Sequence, residues 1–321
     1  MTVELEERSP AALERYRTEL TGYCYRMLGS PFDADDAVQE TLLRAWQGMD
    51  RFEGRSSLRS WLYRIATNVC LDAVRGAGRR ALPMDLSSPV PSSTQPGEPL
   101  PEATWLQPVR DADVLGADPA ERAVLADSVR LAFVAALQHL PPRQRAVLVL
   151  REVLAFPAAE VADLLDTTVA SVNSALQRAR ATVADLAPQP GDGRHALGEE
   201  GTRLLERYVA AFEAYDVDAL LELLHEDASI SMPPLALWLR GRQDLRGWYL
   251  GHGIGCRGSR LVPVEVNGQP AFAQYRRAEV GDGHVPWSVQ VLEVVEGRVA
   301  HVHHFLGPEV FARLGLPPRL P

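Results

Sequence analysis

Arginine and asparagine side chains recur on one face of a helix predicted between Ser57 and Arg75. Arg64, Asn68 and Arg75 fall at helical spacing, and guanidinium and amide groups can pair with base edges or phosphates. Upstream arginines stand near aromatic residues, a mixture suited to single-stranded nucleic acid because bases stack on aromatic rings. The candidate nucleic-acid residues of this stretch are Arg51, Arg55, Trp61, Arg64, Asn68 and Arg75.

A second candidate is a pair of short predicted helices joined by about three residues, which is helix-turn-helix spacing. Pro157 suits the first turn of the first helix, and Thr168 suits the N-cap of the second. An ordinary helical hairpin is the alternative. The predicted inward positions are Val169, Val172, Leu176, Ala179 and Val183. The positions predicted to face the major groove are Thr168, Ser171, Asn173, Ser174, Gln177, Arg178 and Arg180.

Carboxylate and amide side chains cluster on a third predicted helix, from Asp33 to Trp46. Val38, Leu42 and Trp46 fall at i, i+4 and i+8 and predict its buried stripe. Off that stripe lie Asp35, Asp36, Gln39 and Glu40. On composition alone, a solvated acidic face is one explanation of the cluster and a functional surface is the other.

The chain that must position these residues has the composition of a globular protein. It has 321 residues, of which 46% are hydrophobic and 23% charged, and this excludes wholesale disorder. No apolar run approaches the roughly 20 residues of a membrane span, and the acidic start MTVELEERSP is unlike a secretory signal. The three cysteines lie far apart, which argues against a disulfide scaffold or structural zinc and favours a reducing cytoplasm.

The net charge of −9 hides an uneven distribution in which every one of the 33 basic residues is arginine. Residues 13–80 and 128–183 each carry a net charge of +2, whereas residues 81–126 carry −5. Two slightly basic blocks on either side of an acidic stretch are compatible with nucleic-acid binding, despite the acidity of the whole chain.

Shifts in composition divide the chain into five predicted parts. Residues 1–80 and 127–186 are helical blocks, residues 81–126 and 187–200 are linkers, and residues 201–321 form a block in which strands follow helices. The first linker, rich in proline, serine and acidic residues, is predicted to be an extended tether. Strands are predicted at Ala228–Ser231, Leu261–Val266, Ala271–Arg277, Trp287–Val295 and Arg298–Phe305, with a hairpin turn at Glu296-Gly297. The predicted fold class is multidomain: two all-α domains and one α+β domain.

The two helical blocks resemble the extracytoplasmic-function (ECF) class of bacterial RNA polymerase sigma factors. DADDAVQETLLRAW followed by RFEGRSSLRSWLYRIATNVCLDAVRG is similar to region 2 of that class. LPPRQRAVLVLREVLAFPAAEVADLLDTTVASVNSALQRAR is similar to region 4. The resemblance covers about residues 10–80 and 128–183, and it implies a helical region 2 bundle and a region 4 helix-turn-helix.

The resemblance implies a cytoplasmic protein that binds core RNA polymerase and directs promoter recognition and transcription initiation. The acidic cluster would dock on the clamp helices of the largest subunit, and region 4 would meet the flap. The Arg51–Arg75 stretch would open and read the −10 element, with Arg64 and Asn68 nearest the bases. The helix from Val169 would read the −35 element, and the acidic linker would thread toward the RNA exit path.

The last block resembles the SnoaL-like fold of the nuclear-transport-factor-2-like superfamily. YVAAFEAYDVDALLELLHEDASISMPP, RGRQDLRGWY and GRVAHVHHF carry this resemblance, and sigma factors with such an extension form a SigG-like subgroup. The fold implies a conical pocket, with Trp238, Tyr249, Tyr275, Trp287, His301 and His303 as candidate lining residues. The expected role of this domain is regulatory, and the sequence leaves open whether the domain binds a small-molecule ligand.

Three histidines near the end of the chain invite a metal interpretation. Strand alternation places His301 and His303 on one face and His304 on the other, and no acidic partner stands at ligand spacing. Structural histidines are therefore favoured over a metal site. We expect no cofactor and no metal, and we assign no catalytic residue.

Two departures from the sigma pattern bear on DNA binding. Asp166 stands where relatives usually have glycine, and Asn173 and Ala175 stand where they often carry lysine or arginine. Because fewer cations neutralise fewer phosphates, we expect the isolated chain to bind duplex promoter DNA poorly.

The alternatives to a sigma factor are a SnoaL-type isomerase or hydrolase fused to a sigma-like module, and a one-component repressor. The acidic helix favours the sigma factor over the repressor, and the sequence leaves open whether the last block inhibits or activates.

Overall fold

The computed structural model describes residues 10–54, 56–76, 78–186 and 198–321, which form two compact units. The first unit lies within Met1–Arg80 and Asp111–Pro188, and the second within Ala81–Arg110 and Gln189–Pro321. Residues 81–110 therefore belong to the C-terminal unit, although their composition predicted a free tether.

In the described residues of the first unit, helices are joined by turns and loops. Its helices are α1 (Pro10–Glu14), α2 (Arg17–Leu28), α3 (Pro31–Gly48), α4 (Leu58–Ala73), α5 (Asp111–Val114), α6 (Pro119–Ala126), α7 (Leu131–Gln138), α8 (Pro142–Leu148), α9 (Ala158–Leu164) and α10 (Val169–Leu186). A π-helical turn, Val149–Val153, continues α8. The helices α5 and α6 lie in the stretch that was predicted to be a linker.

Serine and threonine side chains cap the N-terminal ends of three of these helices. The Ser30 hydroxyl accepts the Asp33 N–H at 3.3 Å at the start of α3. The Ser57 hydroxyl accepts the Ser60 N–H at 3.0 Å at the start of α4. The Thr168 hydroxyl accepts the Ser171 N–H at 3.2 Å, so the predicted cap of α10 is present. Each cap satisfies a backbone donor that the helix itself cannot.

Burial follows the predicted helical periodicity, with exceptions at helix ends. Val38 and Leu42 are buried in α3, and Val172, Leu176 and Ala179 are buried in α10. Two predicted inward residues are instead exposed, Trp46 by 50% and Val169 by 43%. In the last turn of α3 the small Ala45 takes the buried position, and Val169 is the first residue of α10.

The second unit consists of helices and a six-stranded sheet. Its helices are α11 (Glu199–Ala214), α12 (Val217–Glu222), α13 (Arg242–Leu250) and α14 (Pro308–Arg313). Its strands are β1 (Leu224–Ser231), β2 (Trp238–Arg240), β3 (Arg260–Val266), β4 (Gln269–Arg277), β5 (His284–Val295) and β6 (Arg298–Leu306). All five predicted strands are present, and the fold class predicted from the sequence is confirmed.

The strands follow the order β2-β1-β6-β5-β4-β3. Neighbours are antiparallel except β1 and β6, which run parallel with Ile230 opposite Val302. The predicted hairpin joins β5 to β6 through Glu296 and Gly297, whose φ angles are 50° and 71°. Two consecutive left-handed residues give the turn whose twist matches the flanking strands.

The 81–110 segment is held on the second unit mainly through backbone groups. The N–H of Val90 donates to the carbonyl of Trp238 at 3.0 Å, and that of Leu100 donates to Pro234 at 2.9 Å. The Ser92 N–H donates to the Asp244 carboxylate at 2.9 Å. Backbone pairing of an extended chain requires no apolar periodicity, which explains why the sequence pattern did not predict this packing.

Candidate functional site

One exposed face of α3 mixes acidic, amide and apolar side chains. We call it the α3 docking face and define it as Phe32, Asp35, Asp36, Gln39, Glu40, Leu43 and Trp46. Its apolar members are 43%, 50% and 50% exposed in that order. Its acidic members were predicted from the sequence, whereas its apolar members were not. The signal was present, because Phe32, Asp36, Gln39, Leu43 and Trp46 fall at i, i+4, i+7, i+11 and i+14.

The predicted nucleic-acid residues of the first block lie in different environments. Asn68 is exposed on α4, and Arg75 is exposed just after the end of α4, where it pairs with Asp72 at 3.1 Å. Trp61 is half-buried, with its ring 4.9 Å from that of Phe52. Arg51 is exposed at the end of the short helical turn Met49–Arg51. Arg55 lies outside the described residues.

Arg64, the remaining member, lies where α4 packs against α9. Its guanidinium donates to the backbone carbonyl of Asp163, and one turn earlier the Ser60 hydroxyl donates to the Glu160 carboxylate. The Tyr63 ring lies 5.1 Å from that of Phe156. Part of the predicted DNA-reading surface is therefore occupied by the second helical block.

Two buried arginines join the helical blocks at a second place. Arg26 in α2 is 1% exposed and donates to the Ser128 hydroxyl at 2.6 Å. Arg145 in α8 donates to the Met27 carbonyl and, at 2.7 Å, to the Gln138 side chain. Desolvation lowers the pKa of both guanidinium groups to about 10, so both stay charged at neutral pH and depend on these acceptors.

The second helix of the helix-turn-helix, α10, presents its predicted outward face to solvent. Every outward position from Thr168 to Arg180 is exposed. Arg178 donates to the Ser174 hydroxyl at 2.7 Å, and Arg180 pairs with Glu152 at 2.6 Å. Asp166 in the link has a φ of 50°, the left-handed conformation that glycine adopts freely and aspartate tolerates.

The C-terminal unit contains a cavity of about 350 Å³. Its lining residues are Gln95, Pro96, Ile230, Met232, Leu235, Trp248, Tyr249, His252, Gly253, Cys256, Arg276, Trp287, His304 and Leu306. Two predicted lining residues, Tyr249 and Trp287, are among them.

The other four predicted lining residues lie elsewhere, so that part of the prediction is corrected. The Trp238 indole donates to the Ser87 carbonyl at 2.9 Å, and the Tyr275 hydroxyl donates to the Pro317 carbonyl at 2.9 Å. His301 and His303 occupy the sheet face opposite to His304, and it is His304 that lines the cavity. Alternation predicted the two faces correctly but could not tell which one borders the cavity.

The other two histidines, His301 and His303, are bonded to β1 and lie near an acidic residue that spacing did not reveal. Ring nitrogens of His301 and His303 lie 2.7 and 2.9 Å from the hydroxyls of Ser229 and Ser231. Glu293, which faces His301 across the β5–β6 pairing, has a carboxylate oxygen 3.7 Å from His303 Nε2. Within the described ranges, no three His, Cys, Asp or Glu side chains converge as a metal site.

None of the helices in the described ranges is long and apolar enough to span a bilayer.

Three family models match consecutive parts of the chain. The Sigma-70 region 2 family matches residues 12–80, and the Sigma-70 region 4 family matches residues 130–183. The SnoaL-like domain family matches residues 205–302. The two sigma matches coincide with the helical blocks that carry the α3 docking face and the helix-turn-helix.

Curated relatives match nearly the whole chain. The chain is 48% identical over 317 residues to the ECF RNA polymerase sigma factor SigG of Mycobacterium tuberculosis, covering 97% of this chain and 84% of that protein. It is 30% identical over 312 residues to SigJ of the same organism, covering 93% and 91%. The crystal structure of SigJ shares the fold, with a TM-score of 0.63 at 24% identity over 97% of this chain and 100% of that one. The chain therefore belongs to the extracytoplasmic-function family of RNA polymerase sigma factors, in the subgroup that carries a C-terminal SnoaL-like domain.

Proposed function

We propose that this sigma factor docks on the clamp helices of the largest polymerase subunit through the α3 docking face. The observation that carries the proposal is the exposure of Leu43 and Trp46 beside Asp36 and Gln39. Protein interfaces typically have an apolar centre, and charges at the rim select a complementary partner. The face therefore fits a basic helical surface with apolar patches.

The DNA contacts that we propose are divided between two helices. In α10, Ser171, Asn173 and Gln177 offer hydroxyl and amide groups to bases of the −35 element, while Arg178 meets phosphate. Thr168, Ser174 and Arg180 extend that surface. In region 2, Arg64 and Asn68 read the −10 element, supported by the residues Arg51, Arg55, Trp61 and Arg75. Region 4 also meets the polymerase flap.

In the free chain part of the −10 surface is held in a closed arrangement, while the α10 face is exposed. Arg64 and Ser60 of α4 are bonded to α9, the first helix of the helix-turn-helix. Asn68 is already exposed, whereas the Arg64 guanidinium is released from its bond to Asp163 only when α4 and α9 separate, and binding to polymerase supplies the free energy for that step. The closed arrangement adds to the low cation content as a reason for weak promoter binding by the isolated chain.

The C-terminal domain acts as an inhibitor through the 81–110 segment, which connects region 2 to region 4. Val90, Ser92 and Leu100 bond this segment to the domain. In the holoenzyme the same segment extends toward the RNA exit path, so its retention on the domain opposes assembly. The protein acts in the cytoplasm, where its polymerase is.

The alternative of a SnoaL-type enzyme is not favoured. Relatives that match over nearly the whole chain are sigma factors.

Run-off transcription from fragmented genomic DNA, with core RNA polymerase and the full chain, tests the proposal. Sequencing the transcripts is expected to reveal a small set of start sites that share −35 and −10 elements and vanish when the chain is omitted. Transcription that starts at the same sites with and without the chain would refute it.

A further inference from the structure

The cavity of the C-terminal unit combines apolar walls with two polar side chains whose hydrogen-bonding capacity is not fully used by the residues that the structure describes. Its volume of about 350 Å³ lies within the usual range for small-molecule sites. Ile230, Leu235, Trp248 and Leu306 supply apolar surface. The two polar side chains are Arg276 and His304.

Arg276 presents a positive charge without a counter-charge. Its guanidinium carbon lies 3.3 Å from the centre of the Trp287 ring, and Nη2 donates to the Cys256 sulfur at 3.1 Å. It forms no ion pair with any residue in the described ranges, and its Nε has no hydrogen-bond partner there. A planar guanidinium held flat against an aromatic ring is suited to bind a carboxylate.

His304 presents a buried nitrogen with no hydrogen-bond partner among the described residues, and the side chain is only 6% exposed. Its Nδ1 lies 3.4 Å from the Ser288 hydroxyl, and that hydroxyl donates its own proton to Gln274 at 2.9 Å. Nδ1 must therefore carry the proton, which leaves Nε2 as a bare acceptor. Burial lowers the pKa of His304 to about 3, so the ring is neutral and its Nε2 can accept a hydrogen bond from an occupant of the cavity.

We propose that the cavity binds a small aromatic carboxylate that also carries a hydroxyl group. The carboxylate pairs with Arg276, the aromatic ring packs against the apolar wall, and the hydroxyl donates to His304 Nε2. Gln95 and Pro96 of the 81–110 segment line the same cavity. An occupant therefore contacts the segment and holds it on the domain. This last consequence, inhibition of the sigma factor by the ligand, rests on the proposed function, whereas the binding does not.

Isothermal titration calorimetry on the full chain tests the binding without polymerase. The probes are para-hydroxybenzoate, para-hydroxyphenylacetate and hydroxynaphthoate, each compared with its neutral amide and with the acid that lacks the hydroxyl. At least one acid is expected to bind with a Kd below about 1 mM, and about tenfold or more tightly than its amide, because a charge-assisted bond is lost in the amide. The acid without the hydroxyl is expected to bind several-fold more weakly.

Two arginine variants localise the site. Arg276→Gln should remove the preference for the acid over the amide, while Arg277→Gln, an exposed neighbour on the same strand, should keep it. The comparison of acid with amide on the unmodified chain stands even if Arg276→Gln does not fold. Absence of saturable binding by all three acids, equal binding of acid and amide, or equal loss in both variants overturns the proposal.

Hydrogen exchange on the same complex tests contact with the segment. The amides of Val90, Ser92 and Leu100 are expected to exchange several-fold more slowly when the best acid saturates the chain. Unchanged exchange at these amides overturns the claim that the occupant holds the segment. Because neither measurement involves transcription, both outcomes are independent of whether the proposed sigma mechanism is correct.

Discussion

The guanidinium carbon of Arg59 in α4 lies 4.6 Å from the centre of the Phe156 ring, just before α9. The same arginine bonds Glu19 of α2 at 3.1 Å. One region 2 side chain thus contacts both its own bundle and the helix-turn-helix block. This contact belongs to the same α4–α9 interface that holds Arg64, and in the proposed mechanism that interface sets the free-energy difference between the closed chain and a chain that can read DNA.

Weakening the α4–α9 interface should raise DNA binding by the isolated chain. Glu160→Ala removes the acceptor of the Ser60 hydroxyl, a loss of about 1 kcal/mol that shifts the closed–open equilibrium about fivefold. Fluorescence anisotropy with single-stranded −10 oligonucleotides measures the change.

The matched control for that experiment is Asp163→Asn. Arg64 bonds the backbone carbonyl of Asp163, which the substitution preserves, so binding should stay near that of the unmodified chain. Equal affinity in Glu160→Ala and the unmodified chain would contradict the closed arrangement.

Releasing the 81–110 segment should raise transcription. Asp244→Ala removes the carboxylate that accepts the Ser92 N–H at 2.9 Å, and with core polymerase at limiting concentration we expect about fivefold more run-off product. Asp218→Ala is the control, since Asp218 pairs with Arg246 on the surface at 3.1 Å and does not contact the segment. Lower activity in Asp244→Ala than in the control would argue against inhibition through the segment.

Substitutions on α10 should separate base contacts from phosphate contacts. Asn173→Ala is expected to cost holoenzyme binding about 1–3 kcal/mol at the preferred −35 sequence and to relax specificity there. Arg178→Ala should weaken binding to all sequences and reduce the salt slope by about 1. Arg180→Ala should do less, because Arg180 already pairs with Glu152. Filter binding over a range of salt concentrations distinguishes the three, and identical salt slopes would count against these assignments.

Predictions from the sequence were most accurate for features that depend on side-chain periodicity or on the residues of a single cap or turn. The outward face of α10, its Thr168 cap and the Glu296-Gly297 turn were all predicted, because each depends on neighbours close in the chain. Trp46 was misplaced because α3 carries two apolar stripes, one buried and one exposed, and spacing alone does not tell them apart.

Contacts between distant parts of the chain were beyond sequence reasoning. Arg276 and Cys256 come from different elements and meet only in the folded domain. The packing of the 81–110 segment depends on backbone bonds, which leave no side-chain pattern. Glu293 is adjacent to His301 only through the β5–β6 register.

Acid should destabilise the C-terminal domain through His304. Burial lowers the pKa of this side chain from 6.5 to about 3, so below pH 6.5 the unfolded chain binds a proton that the folded domain excludes. The contribution of neutral His304 to the free energy of unfolding is therefore fully present above pH 6.5. It falls as the pH drops toward 3, by about 2 kcal/mol at pH 5. Scanning calorimetry at a series of pH values should show a shallower dependence in His304→Gln. Burial also lowers the pKa of His301, so some dependence should persist, but equal slopes in the two proteins would contradict the role of His304.

The α3 docking face is the central claim, and co-elution of the full chain with core RNA polymerase on a sizing column tests it most directly. Leu43→Asp places a charge at the centre of the exposed face, where Leu43 is 50% exposed, whereas Val280→Asp makes the same kind of change at a site that is 88% exposed in the C-terminal domain. We expect the unmodified chain and Val280→Asp to co-elute with polymerase and Leu43→Asp to elute alone with an unchanged melting temperature. Co-elution of folded Leu43→Asp in the same proportion as the unmodified chain would contradict the account.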